Sequence, residues 1–420
     1  MTEEKQSFRA LARPALESIR LLLAALGNPQ DGLRCIHVAG TNGKGSVCAF
    51  LQMMFTKAGR RTGKYISPHL IHDCERISVD GAEISPAELR RLMQKVSMAA
   101  KKTEQKLGTP PTMFELWTAA ALCYFEQCKC DIVIVETGLG GTHDATNIIP
   151  LPLISVITRI AMDHMDYLGA NLSEIASAKA GIIKCPVDGR QGCTVTIPQF
   201  SEAAAVLKTA CQEKNNRLIV TGQPVIHRPS GIGECFDYRG MENIRLKMLG
   251  FHQIENACLA AEAAFCAGLP GEAVRFGLEN AVNPGRFELI APGLIFDGAH
   301  NQDGMAALIH GLNRYFPEEP RRFIFGCMRD KDIDGALSEI AKSSGSVKTV
   351  YTVRVKDSPR AVSAEELADL VGRKGFRAVS CRNIREAVCL AKQAGNLAVI
   401  CGSLYLYHDL YMEYLQLLQG

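Results

Sequence analysis

An α/β fold with largely parallel sheets is what this sequence predicts, and three observations carry the prediction. Short apolar runs alternate with segments of helical period through most of the chain, the pattern of strands joined by crossover helices. A glycine-rich turn sits where the first such run gives way to the first such helix. The chain has 420 residues, 47% hydrophobic and 22% charged, an ordinary globular composition. At roughly 100–200 residues per domain that length gives two or three domains with cores that need no metal or disulfide staple.

In chain order, strands are expected at 34–38, where RCIHV precedes the glycine turn, and at 131–135, the start of the run DIVIVE. Further runs at 153–158 and 218–221 read the same way, followed by 294–297, 322–326, 349–355 and 397–401. The first helix after the first strand is the clearest, because Val47, Phe50, Leu51, Met54, Phe55 and Ala58 recur at the spacing of one buried helical face. The turn signal Asn283-Pro284-Gly285 follows a helical region and precedes fresh strands, so it marks the domain boundary. The expected division is residues 1–285 and 286–420, both ordinary domain sizes. No low-complexity segment or short repeat interrupts either part.

Charge and composition exclude several function classes. The 47 Lys+Arg nearly balance the 44 Asp+Glu, and a net charge of +3 gives no concentrated basic face, so nucleic acid is not an expected partner. No stretch of about eighteen residues is free of charge, so no membrane-spanning helix is expected. The opening MTEEKQSFRALARPALE is acidic and then amphipathic, without the apolar core and small-residue cleavage site of a signal peptide. The 16 cysteines are scattered, several inside apolar runs, which reads as reduced thiols in a cytoplasmic protein. Cys128 and Cys130 are close, but CKC is not a zinc spacing.

The strongest chemical signal is Gly40-Thr41-Asn42-Gly43-Lys44-Gly45-Ser46 between the first strand and the first helix. Glycines let backbone N–H groups turn toward phosphate oxygens, and the helix N-terminus adds a positive dipole end. Lys44 can reach terminal phosphates and Ser46 can hold Mg²⁺, which together describe a nucleoside triphosphate site. Gly45 separates Lys44 from Ser46, whereas the common motif has Lys followed directly by Ser or Thr. Glu136 ends the run DIVIVE, so its carboxylate should emerge at the sheet edge where ligands of open α/β sheets gather. Lys179 lies on a helix that Asn171 would cap with Glu174 three residues on, like a capping box. By itself it reads either as a solvated helix lysine or as a functional amine, and His164 in DHMD reads either as structural or as a ligand.

The form GTNGKGS resembles the P-loop of the Mur ligase superfamily, and further blocks resemble its folylpolyglutamate and dihydrofolate synthase branch. They are SPHLIHDCERI (67–77), TMFE (112–115), ETGLGGTHDATN (136–147), DHMDYLG (163–169), KAGIIK (179–184), GFHQIENA (250–257), NPGRFE (283–288) and DGAHNQDG (297–304). Residues 186–245 and about 335–395 carry no such block. One position departs: the family usually has Glu before KAGIIK, and this chain has Ala178.

The resemblance implies a P-loop-type, mostly parallel N-terminal domain with a smaller Rossmann-like α/β C-terminal domain. It implies an ATP-dependent ligase joining L-glutamate to a pteroate or folate carboxylate through an acyl phosphate, releasing ADP and phosphate. It assigns ATP to Thr41, Asn42, Gly43, Lys44, Gly45, Ser46, Gln253, Asn256, Arg286 and Asp297. Two Mg²⁺ ions are implied, one held by Ser46, Ser67 and Glu136, the other by His164 and a CO₂-derived carbamate on Lys179. A carbamate needs a neutral amine, hence surroundings that depress the lysine pKa from about 10.4. The pterin falls to Phe114, Glu115, Asp144 and Ala145, although Phe114, an aromatic ahead of an apolar helix, is as readily a core residue. His300 and Ser403 are candidates near glutamate. Lys44, Lys179 and His300 are the catalytic candidates, the partners are small molecules (ATP, glutamate, and dihydropteroate or a reduced folate), and a monomer is expected. Two other readings stand beside this one. A Mur-type ligase of cell-wall precursors is disfavoured by SPHL, ERI and DATN and by a P-loop that begins only 40 residues in, and a non-catalytic nucleotide-binding module is disfavoured by the intact set Lys44, Ser46, Glu136, His164 and Lys179.

Overall fold

A computed structural model describes residues 16–187, 189–227, 231–356, 358–393 and 397–415. The opening segment through residue 15 lies outside them. The first sheet contains β1 (Cys35–Ala39), β2 (Thr62–Tyr65), β3 (Ile77–Val79), β4 (Ala82–Glu83), β5 (Ile132–Glu136), β6 (Ile154–Ile157), β7 (Gly192–Thr196) and β8 (Asn216–Val220). Their spatial order is β4-β3-β2-β5-β1-β6-β7-β8. The six strands from β2 to β8 run parallel, and β3 and β4 close one edge antiparallel.

Both faces of this sheet are covered, as parallel sheets require. Ile36 and Val38 of β1 pack with Val47, Phe50, Leu51, Met54 and Phe55 of the helix Lys44–Lys57 and with the helices His252–Cys266 and Gly271–Asn280. Each of those five large helical side chains is worth roughly 1.5–3 kcal/mol relative to exposure. Ala58, expected on the same face, is the half-buried C-cap residue. On the opposite face Cys35, Val133 and Val135 meet Trp117 and Phe125 of the helix Met113–Gln127, and Ala39 and Ile157 meet Ile175, Ala176 and Ala180 of the helix Leu172–Ala180.

A small antiparallel sheet, β9 (Val225–His227), β10 (Glu234–Tyr238) and β11 (Met241–Leu246), precedes the helix His252–Cys266. The third sheet contains β12 (Glu288–Ala291), β13 (Leu294–Phe296), β14 (Arg321–Phe325), β15 (Val347–Thr352), β16 (Ala378–Ser380) and β17 (Leu397–Cys401) in the order β12-β13-β17-β14-β15-β16. Only β12 is antiparallel. The helices Gln302–Tyr315, Ile333–Ile340 and Ala364–Arg373 cover one face, and Ile384–Gln393 and Leu406–Leu410 the other.

All 16 cysteines are free thiols, ten of them buried, while Cys185, Cys266 and Cys389 are exposed. Among the described residues no helix is long and apolar enough to cross a membrane. The two large sheets turn the C-terminal ends of their parallel strands toward each other, and that crevice holds the site.

Candidate active site

Every candidate residue named from the sequence lines one cavity of about 820 Å³ between the two large sheets. Its floor is the turn after β1. Gly40 and Gly43 have φ of +154° and +92°, and a Cβ on Gly43 would stand 2.3 Å from Asn256 Oδ1, so the glycine there is sterically required. The amides of Thr41 and Asn42 both donate to Arg159 O, at 2.8 and 3.3 Å. That leaves the first-turn amides of the helix Lys44–Lys57, which have no partner within the helix, as the donors the turn can offer an anion. Lys44 Nζ curls over the loop and donates to Gly40 O and Thr41 O at 3.1 and 3.2 Å. Asn256 in turn donates to Gln253 Oε1 at 3.0 Å, which brings both residues of the helix His252–Cys266 to the turn.

Glu136 ends β5 as its position in the sequence requires, buried, with Oε2 accepting from the Ser67 amide at 3.3 Å. Burial pushes its carboxyl pKa up, opposed by Lys44, the Ser67 amide, Arg286 and Lys64. Ser46 Oγ accepts from Asn283 Nδ2 at 3.2 Å, which gives the boundary-turn residue Asn283 a place in the site that its sequence position alone does not assign. Hydroxyl and carboxylate oxygens at a phosphate loop are the hard donors that Mg²⁺ takes alongside phosphate oxygens. Among the described residues no three His, Cys, Asp or Glu side chains converge as a metal cage.

Lys179 is buried at 3% exposure, which removes the solvated reading. Its helix begins at Asn171, whose side chain accepts from Glu174 N at 2.9 Å, while Glu174 Oε2 reaches back to Ala170 N at 2.7 Å. Nζ donates to Gly40 O at 2.8 Å. Burial, with the neighbouring positive charges of Lys44 and Lys331, brings its pKa down to about 7 against the pull of Asp163 and Asp144. Ala178 also lines the cavity, and its carbonyl accepts from Thr142 N and Oγ1 at 2.8 and 3.1 Å.

His164 has its pKa lowered to about 4 by burial and then by Lys331. Beside it lies Asp163, which the sequence reading passed over. Burial alone would raise the Asp163 carboxyl, but Lys331, His164 and His300 outweigh it and hold the carboxyl well below the usual carboxylate range. Asn301, at the start of the helix Gln302–Tyr315, donates to Asp163 Oδ2 at 3.0 Å and to Asn42 Oδ1 at 3.2 Å, and Asn42 donates to Asp303 Oδ2 at 2.7 Å. These contacts seat the second large sheet's crevice residues on the phosphate turn.

The remaining candidates divide between surface and scaffold. Asp297 follows β13 and spends one carboxylate oxygen on Phe287 N and the other on Ala299 N, both at 2.7 Å, with Arg286 opposing the upward push of burial on its pKa. His300 Nδ1 lies 2.7 Å from Gly298 O, and burial, then Lys331, brings its pKa down to about 3. Ser403 Oγ, after β17, accepts from Tyr405 N at 3.3 Å. Glu115 forms a capping box with Thr112: Thr112 N donates to Glu115 Oε2 at 2.6 Å and Glu115 N donates to Thr112 Oγ1 at 3.2 Å. Thr-x-x-Glu ahead of an apolar run is the general pattern of such a cap. Asp144 accepts from Leu139 N at 2.8 Å and Thr146 N at 3.0 Å and shapes the turn that carries Ala145. Phe114 lies against Gly138, where a Cβ would be 2.6 Å from its ring, and its ring centroid is 6.1 Å from that of Tyr65, so it is both core edge and cavity wall.

Comparison with known proteins gives a consistent result. Residues 38–264 match the Mur ligase middle domain and residues 285–404 the Mur ligase glutamate ligase domain. The chain is 33% identical to the dihydrofolate synthase/folylpolyglutamate synthase of Bacillus subtilis over 95% of this chain and 94% of that protein. It is 36% identical to the protein of the same description from Mycobacterium tuberculosis, over 90% and 82%. Among solved structures, M. tuberculosis folylpolyglutamate synthase complexed with ADP and AMPPCP superposes with a TM-score of 0.87 at 30% identity, covering 98% of both chains. E. coli FolC in complex with DHPP and ADP superposes at 0.83 and 29% identity, covering 97% and 94%.

Proposed function

The chain belongs to the dihydrofolate synthase/folylpolyglutamate synthase family of Mur ligases and is an ATP-dependent glutamate ligase, and from that premise we propose how its residues divide the work. A carboxylate is a poor acylating agent, so the pterin-linked carboxylate first takes the γ-phosphoryl group of ATP, and glutamate's amine then displaces phosphate from the acyl phosphate. Lys44 stabilises charge in the first step, with Thr41, Asn42, Gly43, Gly45, Gln253, Asn256, Arg286 and Asp297 holding the nucleotide. Ser46, Ser67 and Glu136 hold one Mg²⁺, and His164 with carbamylated Lys179 holds a second. When bound, the ions draw negative charge off the transferring phosphoryl group. Phe114 and Ala145 face the pterin on a wall shaped by Glu115 and Asp144, and His300 and Ser403 face glutamate. Closure of the parts before and after residue 285 keeps water from the acyl phosphate.

The observation that carries this reading is the meeting of all these residues, from Thr41 to Ser403, in one cavity. The acceptor is dihydropteroate as well as a reduced folate, because the DATN turn that supports pteroate contact is complete. A cytoplasmic enzyme fits the free thiols, and it acts as a monomer. Hydroxylamine trapping tests the mechanism: with ATP, Mg²⁺ and pterin acceptor but no glutamate, a pterin hydroxamate should accumulate. Glutamate-dependent turnover without any trapped hydroxamate would overturn the acyl phosphate step.

A further inference from the structure

One lysine from beyond the hinge enters the N-terminal side of the cavity at a point where a carboxylate and an imidazole converge. Lys331, just ahead of the helix Ile333–Ile340, has Nζ 2.8 Å from Asp163 Oδ1 and 3.1 Å from His164 Nε2. The side chains of Lys331 and Asp163 are each only 9% exposed. An ammonium carries three N–H donors and no lone pair, so toward His164 it can only donate. Nε2 therefore accepts, and the ring proton sits on Nδ1. A neutral imidazole offers one nitrogen lone pair, the same one that a metal ion would take. Asp163 is held in place for this contact by Asn301 Nδ2 at 3.0 Å and the His164 amide at 2.9 Å, with His300 Nε2 at 3.8 Å. An oxygen and a nitrogen of the types found around metal ions thus close on an ammonium supplied by the other side of the cleft.

We propose that Lys331 is a stand-in cation, occupying the His164 lone pair so that a second metal ion engages His164 only when Lys331 releases it. The proposal rests on the reading of His164 as a metal contact. Lys331 is then a positioning residue. It keeps Asp163 neutralised and His164 oriented, and it ties metal loading to movement of the loop ahead of the helix Ile333–Ile340. One lone pair cannot serve two cations, and two cations a few ångströms apart repel, so lysine and metal exclude one another at His164.

The test is a Mn²⁺ titration read by the electron paramagnetic resonance of free Mn²⁺, with a non-hydrolysable ATP analogue saturating the nucleotide site. It uses the full chain as wild type, Lys331→Met, Lys331→Gln and His164→Ala. Removing the competing ammonium should tighten the second Mn²⁺ by about tenfold in Lys331→Met, with affinity for the ATP analogue unchanged. A mere loss of packing would not produce such a gain. Lys331→Gln, which keeps N–H donors for Asp163 without a full charge, carries the same expectation and decides the matter if the methionine variant fails to bind the analogue. Wild-type or weaker binding of the second Mn²⁺ in both lysine variants, with His164→Ala losing it, overturns the stand-in role and leaves the metal reading intact. Two Mn²⁺ ions bound by His164→Ala as by wild type would remove the His164 reading itself and the proposal with it.

Discussion

Replacing Lys179 by methionine separates function from stability. The amine is buried, donates to Gly40 O at 2.8 Å, and has its pKa brought from 10.5 to about 7. At pH 7 about half of it is neutral, against roughly one part in a few thousand for an ordinary lysine, a gain of about a thousandfold in the form that CO₂ can carbamylate. The same burial costs stability. Between about pH 7 and 10.5 the unfolded chain holds a proton that the native chain does not, so this lysine's penalty is full at and below pH 7 and fades toward pH 10.5. At about 1.4 kcal/mol per tenfold change in proton affinity the penalty has a ceiling of about 5 kcal/mol, offset by a hydrogen bond worth about 1 kcal/mol. In CO₂-depleted buffer, where the wild-type amine is free, Lys179→Met should therefore raise the thermal unfolding midpoint at pH 7, by less at pH 9, while acyl phosphate formation collapses and ADP binding survives. Wild-type turnover should fall in CO₂-depleted buffer at mildly acidic pH and recover with bicarbonate, and the variant should not recover. Calorimetry at the two pH values and hydroxamate trapping check both halves. Near-wild-type turnover of the variant would show that Lys179 carries no needed carbamate, and a midpoint that drops by several degrees would show that its buried amine does not destabilise the fold.

Four further outcomes follow from the same geometry. Lys44→Ala should lower turnover by several orders of magnitude at saturating ATP and Mg²⁺, and near-normal steady-state rates would discard the phosphate-loop role. Gly43→Ala puts a Cβ 2.3 Å from Asn256 Oδ1 at a φ of +92°, so the KM for ATP should rise about tenfold or more at a strain cost of about 1–3 kcal/mol; an unchanged KM would separate Asn256 from the nucleotide. His300→Ala should raise the KM for glutamate while leaving acyl phosphate trapping intact, and loss of trapping would move His300 to the first step. Product masses should show one added glutamyl residue on dihydropteroate and, separately, on a reduced folate, and activity on one acceptor alone would remove the bifunctional assignment.

Apolar pattern made much of the fold legible. Each strand expected from the sequence has its counterpart, because fully buried strands such as Ile132–Glu136 and Leu397–Cys401 carry unbroken apolar runs. What escaped has a physical reason. β2 reads TGKY, and its Gly63 is there because a Cβ would stand 2.6 Å from the Phe125 ring, so a close helix approach erased the strand's apolar signal. β11 alternates buried Ile244 and Leu246 with the exposed Arg245 between them, β9 has only three residues, and β3 and β4 are only three and two residues long. In the site, residues inside contiguous motifs were visible. Asp163, Asn301 and Asn283 lay within quoted blocks but gain their roles only from partners far away in sequence, and Lys331 had no local pattern at all. Burial of Lys179 was likewise invisible locally, since a helix lysine reads the same whether the cleft covers it or not.

In this cavity ATP cleavage is coupled to glutamate addition on a pterin acceptor. ADP release measured with glutamate and, in separate reactions, dihydropteroate, a reduced folate or a UDP-muramyl peptide tests it most directly. ADP should appear at stoichiometry with the glutamylated pterin and remain at background with the muramyl peptide. ADP release that depends on the muramyl peptide, or that ignores every acceptor, would mean that the cavity does not couple ATP cleavage to glutamate addition on a pterin.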